Sequence, residues 1–301
     1  MNLGYACICL SLGKDVSTNR SMIKRTFLEW GDDYVSELTL KNANDLLHIL
    51  KWNNEHDIKF FRMSSGIIPW GEFVDIPKLK DYNQITNALK RAGDFADANG
   101  IRLTAHPGPF AVLTSPREGV VNNTIAELEL HGMIFDMIGL SQTPYNKINI
   151  HCNGVYGDKK SAMDRFIQNF NRLSPSVQSR LTVENDDKSS MYSVKDLMYI
   201  HERIGIPIVF DYHHHLFNTG GLTEDEAVKL AASTWPVGIK PVMHYSESRS
   251  LHEVNDKVKP QAHSDYINTL PETYGFDFDL MIESKKKEQT LFPFLVKEKV
   301  A

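Results

Sequence analysis

Short apolar segments rich in β-branched residues alternate along the chain with longer amphipathic segments. Eight of the short segments have the length and composition of buried strands. We predict strands at 2–9, 58–65, 101–108, 147–154, 181–187, 206–214, 240–247 and 276–284. Helical patterns lie between them, for example at 42–57, 81–100 and 223–233. Thr223 and Glu226 have the spacing of a capping box at the start of the last of these helices.

Eight strands that alternate with helices predict an α/β fold in which a parallel sheet closes into a (β/α)₈ barrel. We expect one barrel domain over residues 1–301. The alternative is an open doubly wound sheet, which would bind its ligand at one switch point near few strands. The glycine-rich Gly-x-Gly-x-x-Gly turn that often follows the first strand of such a sheet is absent from the sequence.

Composition narrows the possible partners. The apolar fraction of 42% is enough for a large core, and the net charge of −5 gives no whole-molecule attraction to nucleic acid. Binding to a polyanion must therefore come from local basic groups or bound cations. Three cysteines predict no disulfide framework and fit a reducing cytosol. We therefore expect a cytoplasmic protein, associated with the nucleoid if the source is prokaryotic. Because no apolar run approaches about 20 residues, we predict no membrane span.

Polar residues collect where the predicted strands end, which is where barrel enzymes form their active sites. Six of the eight strands end in a histidine or a carboxylate: His106, His151, Glu184, Asp211, His244 and Glu283. Three more histidines, His213 to His215, follow Asp211, and His263 opens a helical pattern after the seventh strand. Strand alternation directs His106, His151 and Glu184 into the barrel.

This cluster predicts a metal site. Several carboxylates and imidazoles would be costly to bury without partners, and these donors suit divalent transition metals such as Mn, Zn or Fe. More than four ligands imply more than one ion, and ions a few Å apart are a common device for phosphodiester hydrolysis. A network of ion pairs is the alternative, but it does not explain why almost no lysine or arginine shares these positions.

The motifs that carry this cluster resemble those of the UV damage endonuclease family. They cover most of the chain, in the family's order. They are FRMSSGIIP (61–69), HPGPFAVLTSP (106–116), INIHCNGVYGDK (148–159), VENDDK (183–188), FDYHH (210–214), MHYSE (243–247), AHSDYI (262–267) and LMIESKKKE (280–288).

The resemblance implies a TIM barrel related to endonuclease IV and to xylose isomerase. It implies a monomeric enzyme that acts on UV-damaged double-stranded DNA. Such an enzyme nicks the strand immediately 5′ to cyclobutane pyrimidine dimers and (6-4) photoproducts, and we expect it to leave a 3′-hydroxyl and a 5′-phosphate. The implied cofactor is Mn²⁺, as roughly two or three ions, with Mg²⁺, Zn²⁺ or Co²⁺ as alternatives.

The resemblance also selects the ligands. It implies metal binding by His106, His151, Glu184, Asp211, His214, His244, His263 and Glu283. Of these, Glu184, His244 and Glu283 are the expected centre of catalysis. Simple alternation would place His213, rather than His214, on the same face as Asp211. We follow the family pattern, because pleating often breaks down where a strand ends, and we expect packing or rim roles for His213 and His215.

The chain departs from the family at two positions. Relatives commonly carry a lysine two residues before the histidine of the seventh strand, and in characterised relatives its carboxylated form binds metal. Val242 stands there in this chain, and Lys240, one inward position deeper, is the candidate replacement. Relatives usually place a glutamine next to the aromatic residue that probes the opened duplex, whereas this chain has Pro109 beside Phe110.

We expect DNA contacts from basic residues in the loops after the strands. They are Arg62, Lys159, Lys160, Lys188, Arg249 and Lys285. Lys285 is favoured because it begins a run of three lysines at the start of the last predicted helix. Tyr5 is either a core residue or a lesion contact, and the family pattern favours contact. Phe110 can stack on exposed bases, whereas Pro109 has no N–H to donate.

Two other functions are compatible with this pattern. A sugar isomerase or epimerase barrel uses a similar set of metal ligands, but it needs no basic and aromatic loop. A non-catalytic binder of damaged DNA is the other possibility, if the change at Val242 removes the chemistry.

Overall fold

The strands of this chain close into a barrel. The computed structural model describes residues 1–253 and 257–295. Within these ranges, eight parallel strands follow one another in chain order, and the first pairs with the last. They are β1 (Leu3–Ala6), β2 (Phe60–Met63), β3 (Arg102–Ala105), β4 (Ile148–His151), β5 (Leu181–Glu184), β6 (Ile208–Asp211), β7 (Val242–Tyr245) and β8 (Asp279–Ile282). The predicted (β/α)₈ barrel is confirmed, and each predicted strand segment contains one of these strands.

Helices surround the barrel. In the described part of the chain they are α1 (Lys24–Glu55), α2 (Tyr82–Ala98), α3 (Glu118–Ile138), α4 (Lys159–Phe170), α5 (Pro175–Gln178), α6 (Val194–Ile204), α7 (Tyr212–His215), α8 (Glu224–Ser233) and α9 (Phe292–Leu295). The predicted capping box of α8 is confirmed, because Thr223 Oγ1 accepts from the Glu226 amide and the Glu226 carboxylate accepts from the Thr223 amide. The first helix is broken at Gly31, whose φ of 58° favours glycine.

An apolar layer lies in the middle of the barrel interior. Phe60, Val209, Val242 and Met281 belong to one buried cluster there. Gly4 lies against it, and a Cβ at this position would lie 2.6 Å from the Phe60 ring, so glycine is required by close packing. This layer occupies one side of the interior, and the buried polar residues Asn149 and Thr182, which bond each other, face the interior beside it.

The long connection between β7 and β8 is irregular over its described residues. The prediction of a helix that starts at His263 is wrong, because His263 forms an isolated antiparallel bridge with Ser248. The reason is that backbone amides in this segment bond to Glu247 rather than to carbonyl groups four residues earlier. The Glu247 carbonyl accepts from the Ser264 amide, and its carboxylate accepts from the Asn268 amide at 2.8 Å.

A search of the described helices for a membrane span finds none with the necessary length and apolarity.

Candidate metal centre

Four strands place polar side chains at the barrel mouth. His151 and Glu184 end β4 and β5 and are register partners. Asp211 ends β6 and pairs in register with His244 of β7. Glu184 itself pairs in register with Val209, two residues before Asp211, so the two pairs are staggered along the strands and meet through their side chains. The structure thus brings together residues that are far apart in the sequence.

Glu184 lies at the centre of this set and is 1% exposed. Its Oε2 atom lies 3.3 Å from Nε2 of His106 and 3.0 Å from Nδ1 of His244. Its Oε1 atom lies 3.4 Å from Nδ1 of His214 and 3.9 Å from Nε2 of His151. One carboxylate is therefore shared by four imidazoles, which is an arrangement that a bridging ligand between cations would have.

Glu283, which directly follows β8, adds a second carboxylate. Its Oε1 atom lies 3.3 Å from Nδ1 of His244 and also accepts a hydrogen bond from Arg62 Nη1. Arg62 is only 14% exposed. The expectation that Arg62 contacts DNA is therefore corrected: its guanidinium is engaged inside the barrel mouth, where it holds Glu283 in place.

A single helical turn explains why His214, rather than His213, joins the centre. Asp211 is the N-cap of α7, and its Oδ1 atom accepts from the His214 amide at 2.9 Å. From Asp211 onward the side-chain period changes from two to 3.6. Residues three apart then share a face, which turns His214 toward Glu184. His213 and His215 are buried, and His213 Nε2 lies 3.1 Å from the Gln261 carbonyl.

Four of the histidines have Nδ1 close to an oxygen atom. The partners are the carbonyl of Pro107 for His106 (3.0 Å), of Asn185 for His214 (2.9 Å) and of Glu283 for His263 (3.1 Å), and the carboxylate of Asp186 for His151 (3.2 Å). The three contacts with carbonyl groups are hydrogen bonds, which fix the tautomer and leave Nε2 as the metal-binding nitrogen. Asp186 approaches His151 at ion-pair distance without hydrogen-bond geometry. Sequence reasoning missed Asp186, although it stands two residues after Glu184 in the VENDDK motif.

His244 has the reverse orientation. Its Nδ1 faces the two carboxylates, and its Nε2 lies 3.1 Å from Nζ of Lys147. Lys147 is fully buried, directly before β4. Sequence reasoning missed it, although Lys147, Asn149 and His151 share the inward-facing parity of that strand.

The electrostatics favour ionised carboxylates. Burial would raise the pKa of Glu184, but His244 and His151 outweigh it and hold that pKa well below its usual range. Burial opposes protonation of His151, yet Glu184 and Asp186 raise its pKa to about 9. Burial lowers the pKa of His106 to about 4. Burial likewise holds the pKa of Lys147 well below its ordinary value.

Two groups of ligand atoms lie close enough to hold a cation, and Glu184 belongs to both. The first also contains His106 and His151, and the second contains Asp211 and His244; the atoms of each group lie within 4.8 Å of one another. Asp211 Oδ2 is buried and has no hydrogen bond from any described residue. A buried carboxylate oxygen without a donor is costly unless a cation takes that place. The donor set therefore fits two neighbouring divalent ions.

Lys240 does not join this centre, which corrects its candidate catalytic role. It precedes β7 at the amino end of the barrel, where Nζ pairs with Asp277 at 2.8 Å. The apolar layer that contains Val242 lies between Lys240 and the metal ligands.

Tyr5 is placed in the core rather than at a lesion. Its side chain is fully buried, and its hydroxyl donates to Asn53 of α1 at 2.8 Å. The small residues Gly4 and Ala6 take the inward positions of β1, so Tyr5 points outward beneath the helices. Its predicted contact with DNA does not fit this position.

Phe110 is the most accessible aromatic side chain near the centre. It is 84% exposed, on the loop between β3 and α3, and the neighbouring Pro109 is also exposed. This loop begins directly after His106. An exposed apolar ring beside a cluster of polar groups is therefore available to contact a ligand above the barrel mouth.

The predicted basic contacts differ in their availability. Lys188 and Lys285 are exposed on loops at the carboxyl end of the barrel. Lys285 precedes a short 3₁₀ turn (Lys287–Thr290), so the helix expected to begin there is absent from this part of the described chain. The other three are engaged in ion pairs: Lys159 with Asp196, Lys160 with Asp164, and Arg249 with Glu253.

Comparison with known proteins identifies relatives along the whole chain. The family described as UV-endonuclease UvdE matches residues 1–300. The UV-damage endonuclease of Schizosaccharomyces pombe is 35% identical over 96% of this chain, and the chain spans about half (49%) of that relative's length. A putative UV-damage endonuclease of Acanthamoeba polyphaga mimivirus is 32% identical, with coverage of 99% of this chain and 91% of that protein.

Among solved structures, SacUVDE supports the same grouping and an epimerase shares only the fold. The crystal structure of SacUVDE superimposes with a TM-score of 0.85 and 32% identity, and the match covers 99% of this chain and 98% of that one. A D-psicose 3-epimerase from Clostridium cellulolyticum H10 reaches a TM-score of 0.55 at 12% identity over 94% of this chain and 85% of its own, a likeness of fold alone. The family match, the sequence relatives and the SacUVDE structure agree, and the chain belongs to the UV-endonuclease UvdE family.

Proposed function

We propose that this chain is a metal-dependent DNA repair endonuclease that nicks the strand immediately 5′ to UV photoproducts. The substrates are cyclobutane pyrimidine dimers and (6-4) photoproducts in double-stranded DNA. The observation that carries the proposal is Glu184, a buried carboxylate shared by four imidazoles at the mouth of the barrel. Family membership supports the same function.

The donor set supports manganese as the cofactor. Imidazole nitrogen and carboxylate oxygen atoms, without a thiolate, suit Mn²⁺, with Mg²⁺, Zn²⁺ and Co²⁺ as alternatives. We propose two ions at the groups that share Glu184, and a third where His263 and Glu283 adjoin the centre. When bound, such cations supply positive charge to a phosphate and make a water molecule more acidic.

The protein's own side chains hold this centre rigid. Arg62 neutralises Glu283 from inside the mouth, and Asn149 donates to the Oε2 atom of Glu184. Asp211 fixes the turn that presents His214. Hydrolysis adds a water oxygen to phosphorus and breaks the bond from phosphorus to the 3′ oxygen, which takes the proton. The products are a 3′-hydroxyl and a 5′-phosphate.

Damage recognition is assigned to the Phe110 loop. Photoproducts weaken pairing and stacking, so bending the duplex and displacing the damaged bases costs less than in intact DNA. Phe110 is exposed and can stack in the gap that displaced bases leave. Because Pro109 has no N–H donor, shape and stacking would dominate this recognition. Lys188 and Lys285 can contact phosphates on the same face.

A plasmid assay tests the proposal. Supercoiled plasmid, with or without UV irradiation, is incubated with the protein and either Mn²⁺ or EDTA. We expect nicking only of irradiated plasmid with Mn²⁺, and its loss in Glu184→Ala and His244→Ala. His48→Ala is the control, because His48 is exposed on α1. Manganese-dependent nicking retained in both Ala variants of the centre would contradict the assignment.

Two further measurements separate the alternatives. An oligonucleotide with one photoproduct reports the position of the cut, and direct extension by a DNA polymerase reports a 3′-hydroxyl. Tight binding of this oligonucleotide without cleavage would instead favour the non-catalytic binder. Turnover of a ketose by the same preparation would favour the isomerase or epimerase alternative.

A further inference from the structure

Lys147 is a buried amine that no ion pair explains. Its side chain is fully buried, and it lies inside the barrel below the metal ligands. Among the described residues, its amine has one hydrogen-bond partner, the Nε2 atom of His244 at 3.1 Å. No described carboxylate lies within ion-pair distance of it, whereas Arg102, at the other end of the same interior, pairs with Asp279 at 3.1 Å.

Such a residue costs stability. Burial of an amine without a counter-ion is unfavourable, and replacement by an apolar side chain of similar volume is often neutral or stabilising. The apolar layer of Phe60, Val209, Val242 and Met281 shows that this interior accepts apolar side chains. A role in folding therefore does not account for Lys147.

The orientation of His244 supplies the reason. The imidazoles of His106 and His214 have Nδ1 hydrogen-bonded to a carbonyl oxygen, and Nδ1 of His151 faces Asp186 at 3.2 Å, which leaves Nε2 of each ring for a ligand. His244 is reversed, with Nδ1 3.0 Å from Glu184 and 3.3 Å from Glu283. The Lys147 amine is the group that occupies its Nε2. The contact holds the ring with Nε2 toward Lys147 and Nδ1 toward the two carboxylates. When Nδ1 binds a metal, Nε2 carries the ring proton, which the amine nitrogen can accept.

We propose that Lys147 is a positioning residue of the metal centre, which fixes the His244 ring so that Nδ1 is its metal-binding atom. This inference rests on the proposed metal-dependent function. Lys147 directly precedes β4, and His244 lies in β7. The amine thus reaches the seventh strand from across the barrel. Because the two residues are far apart in the sequence, no local pattern indicates this contact.

Metal binding by purified variants tests the inference. Lys147→Met removes the amine at similar volume, and Lys147→Gln restores a polar group that can bond Nε2. Lys229→Met is the control, because Lys229 is exposed on α8 and pairs with Asp225. Isothermal titration with Mn²⁺ should show an affinity about 10- to 100-fold weaker for Lys147→Met, as when an outer partner of a ligand is lost. Lys147→Gln should recover most of this loss.

A purely structural lysine would behave differently. We expect the metal-free melting temperature of Lys147→Met to equal or exceed that of the wild type. Nicking by this variant should recover at high Mn²⁺ with an unchanged KM for DNA. Wild-type Mn²⁺ affinity in Lys147→Met would overturn the inference. Wild-type protein that binds Mn²⁺ but does not nick DNA would overturn the proposed function and leave the role of Lys147 standing.

A spectroscopic measurement covers the case in which both variants fail to fold. Ring nitrogen NMR of the wild-type protein with diamagnetic Zn²⁺ should show His244 bound through Nδ1, and His106, His151 and His214 bound through Nε2. His244 bound through Nε2 would overturn the inference, because Lys147 could not then occupy that atom.

Discussion

The two ends of the barrel interior bury charged side chains in opposite ways. At the amino end, Arg102 pairs with Asp279 and donates to the carbonyl groups of Tyr145 and Lys240. At the carboxyl end, the carboxylate of Glu184 faces imidazoles, and Asp211 Oδ2 has no donor among the described residues. At the amino end, side chains of the protein neutralise the buried charge. At the carboxyl end, the candidate metal-binding side chains leave this Asp211 oxygen without a donor in the described part of the chain. Burial of charge alone thus does not identify a functional site; the missing partner does.

Glu184→Gln tests the carboxyl end of the barrel and should have the largest effect. The change keeps the shape of the side chain but removes the charge that both candidate cation groups share. We expect the rate of nicking of irradiated plasmid to fall by at least about 10³-fold. Circular dichroism should show a folded protein. A variant with a tenth or more of wild-type activity would show that this carboxylate does not hold the centre together.

Arg102→Met tests the other end. It removes the closer of two cationic partners of the buried Asp279, whose other partner, Lys240, lies 3.9 Å away, so the free energy of unfolding should fall by up to about 3 kcal/mol. Urea unfolding measures this loss. Activity per folded molecule, assayed at low temperature, should stay within about twofold of the wild type, because breaking the lower ion pair moves no metal ligand. A large change in the Mn²⁺ requirement of Arg102→Met would show that the two ends are not independent.

We expect stability to depend on bound metal, and metal affinity to depend on pH, through the residues at the carboxyl end of the barrel. Mn²⁺ should raise the melting temperature of the wild type and of Arg102→Met, but not of Glu184→Gln. The pKa of His151 is raised to about 9, so protons compete with metal below that pH. Metal affinity should rise by up to about tenfold per unit between pH 7 and 9.

The metal-free protein should show the opposite pH trend. The contact of protonated His151 with Glu184 and Asp186 raises the pKa of His151 above its unfolded value. This contact therefore contributes its full stabilisation of the folded state below the pKa of His151 in the unfolded chain, about 6.5. The contribution is lost as pH rises through about 9. Thermal melts with EDTA and with Mn²⁺ across this range should diverge. Parallel melts would contradict a shared role for His151 in the ion pair and in metal binding.

A smaller effect is expected at the rim of the carboxyl end. Phe110→Ala should weaken binding to photoproduct DNA by about 1 to 3 kcal/mol, the stacking contribution of one base. Binding to undamaged DNA should change much less. Phe73→Ala is a matched comparison, because Phe73 is 70% exposed on the loop between β2 and α2. An equal loss in both variants would remove the special role of the Phe110 loop.

The smallest expected effect concerns phosphate contacts. Lys188→Ala should weaken DNA binding a few-fold for damaged and intact duplex alike, and should reduce the salt dependence by about one charge. Lys229→Ala is the control, because Lys229 lies on the outer ring of helices. Fluorescence anisotropy at several salt concentrations measures both slopes. An unchanged slope for Lys188→Ala would place this lysine outside the DNA interface.

The sequence predicts the fold and much of the centre because both depend on local patterns. Alternation of strands and helices fixes the barrel, and the barrel places strand ends at one level. Alternation within a strand predicts which side chains point into the barrel. It does not predict their position along the barrel axis, since that position depends on the stagger of neighbouring strands. Lys240 shows this limit: it lies at the amino end of the barrel, beyond the apolar layer that contains Val242.

Other features depend on contacts that a local pattern does not record. His214 faces the centre because the chain turns helical at Asp211, and the three consecutive histidines obscure that change of period. Lys147 contacts a residue 97 positions away. For Tyr5 the family pattern favoured a lesion contact over a core position, whereas the need for a small residue beside Phe60 turns Gly4 inward and Tyr5 outward into the core.

The two oxygens of Asp211 have separate tasks, since one closes the α7 turn and the other remains for a cation. A substitution there would remove one ligand directly and release the backbone that orients His214. Two donors would be lost in a single step, so this side of the centre should assemble as an all-or-none unit rather than ligand by ligand.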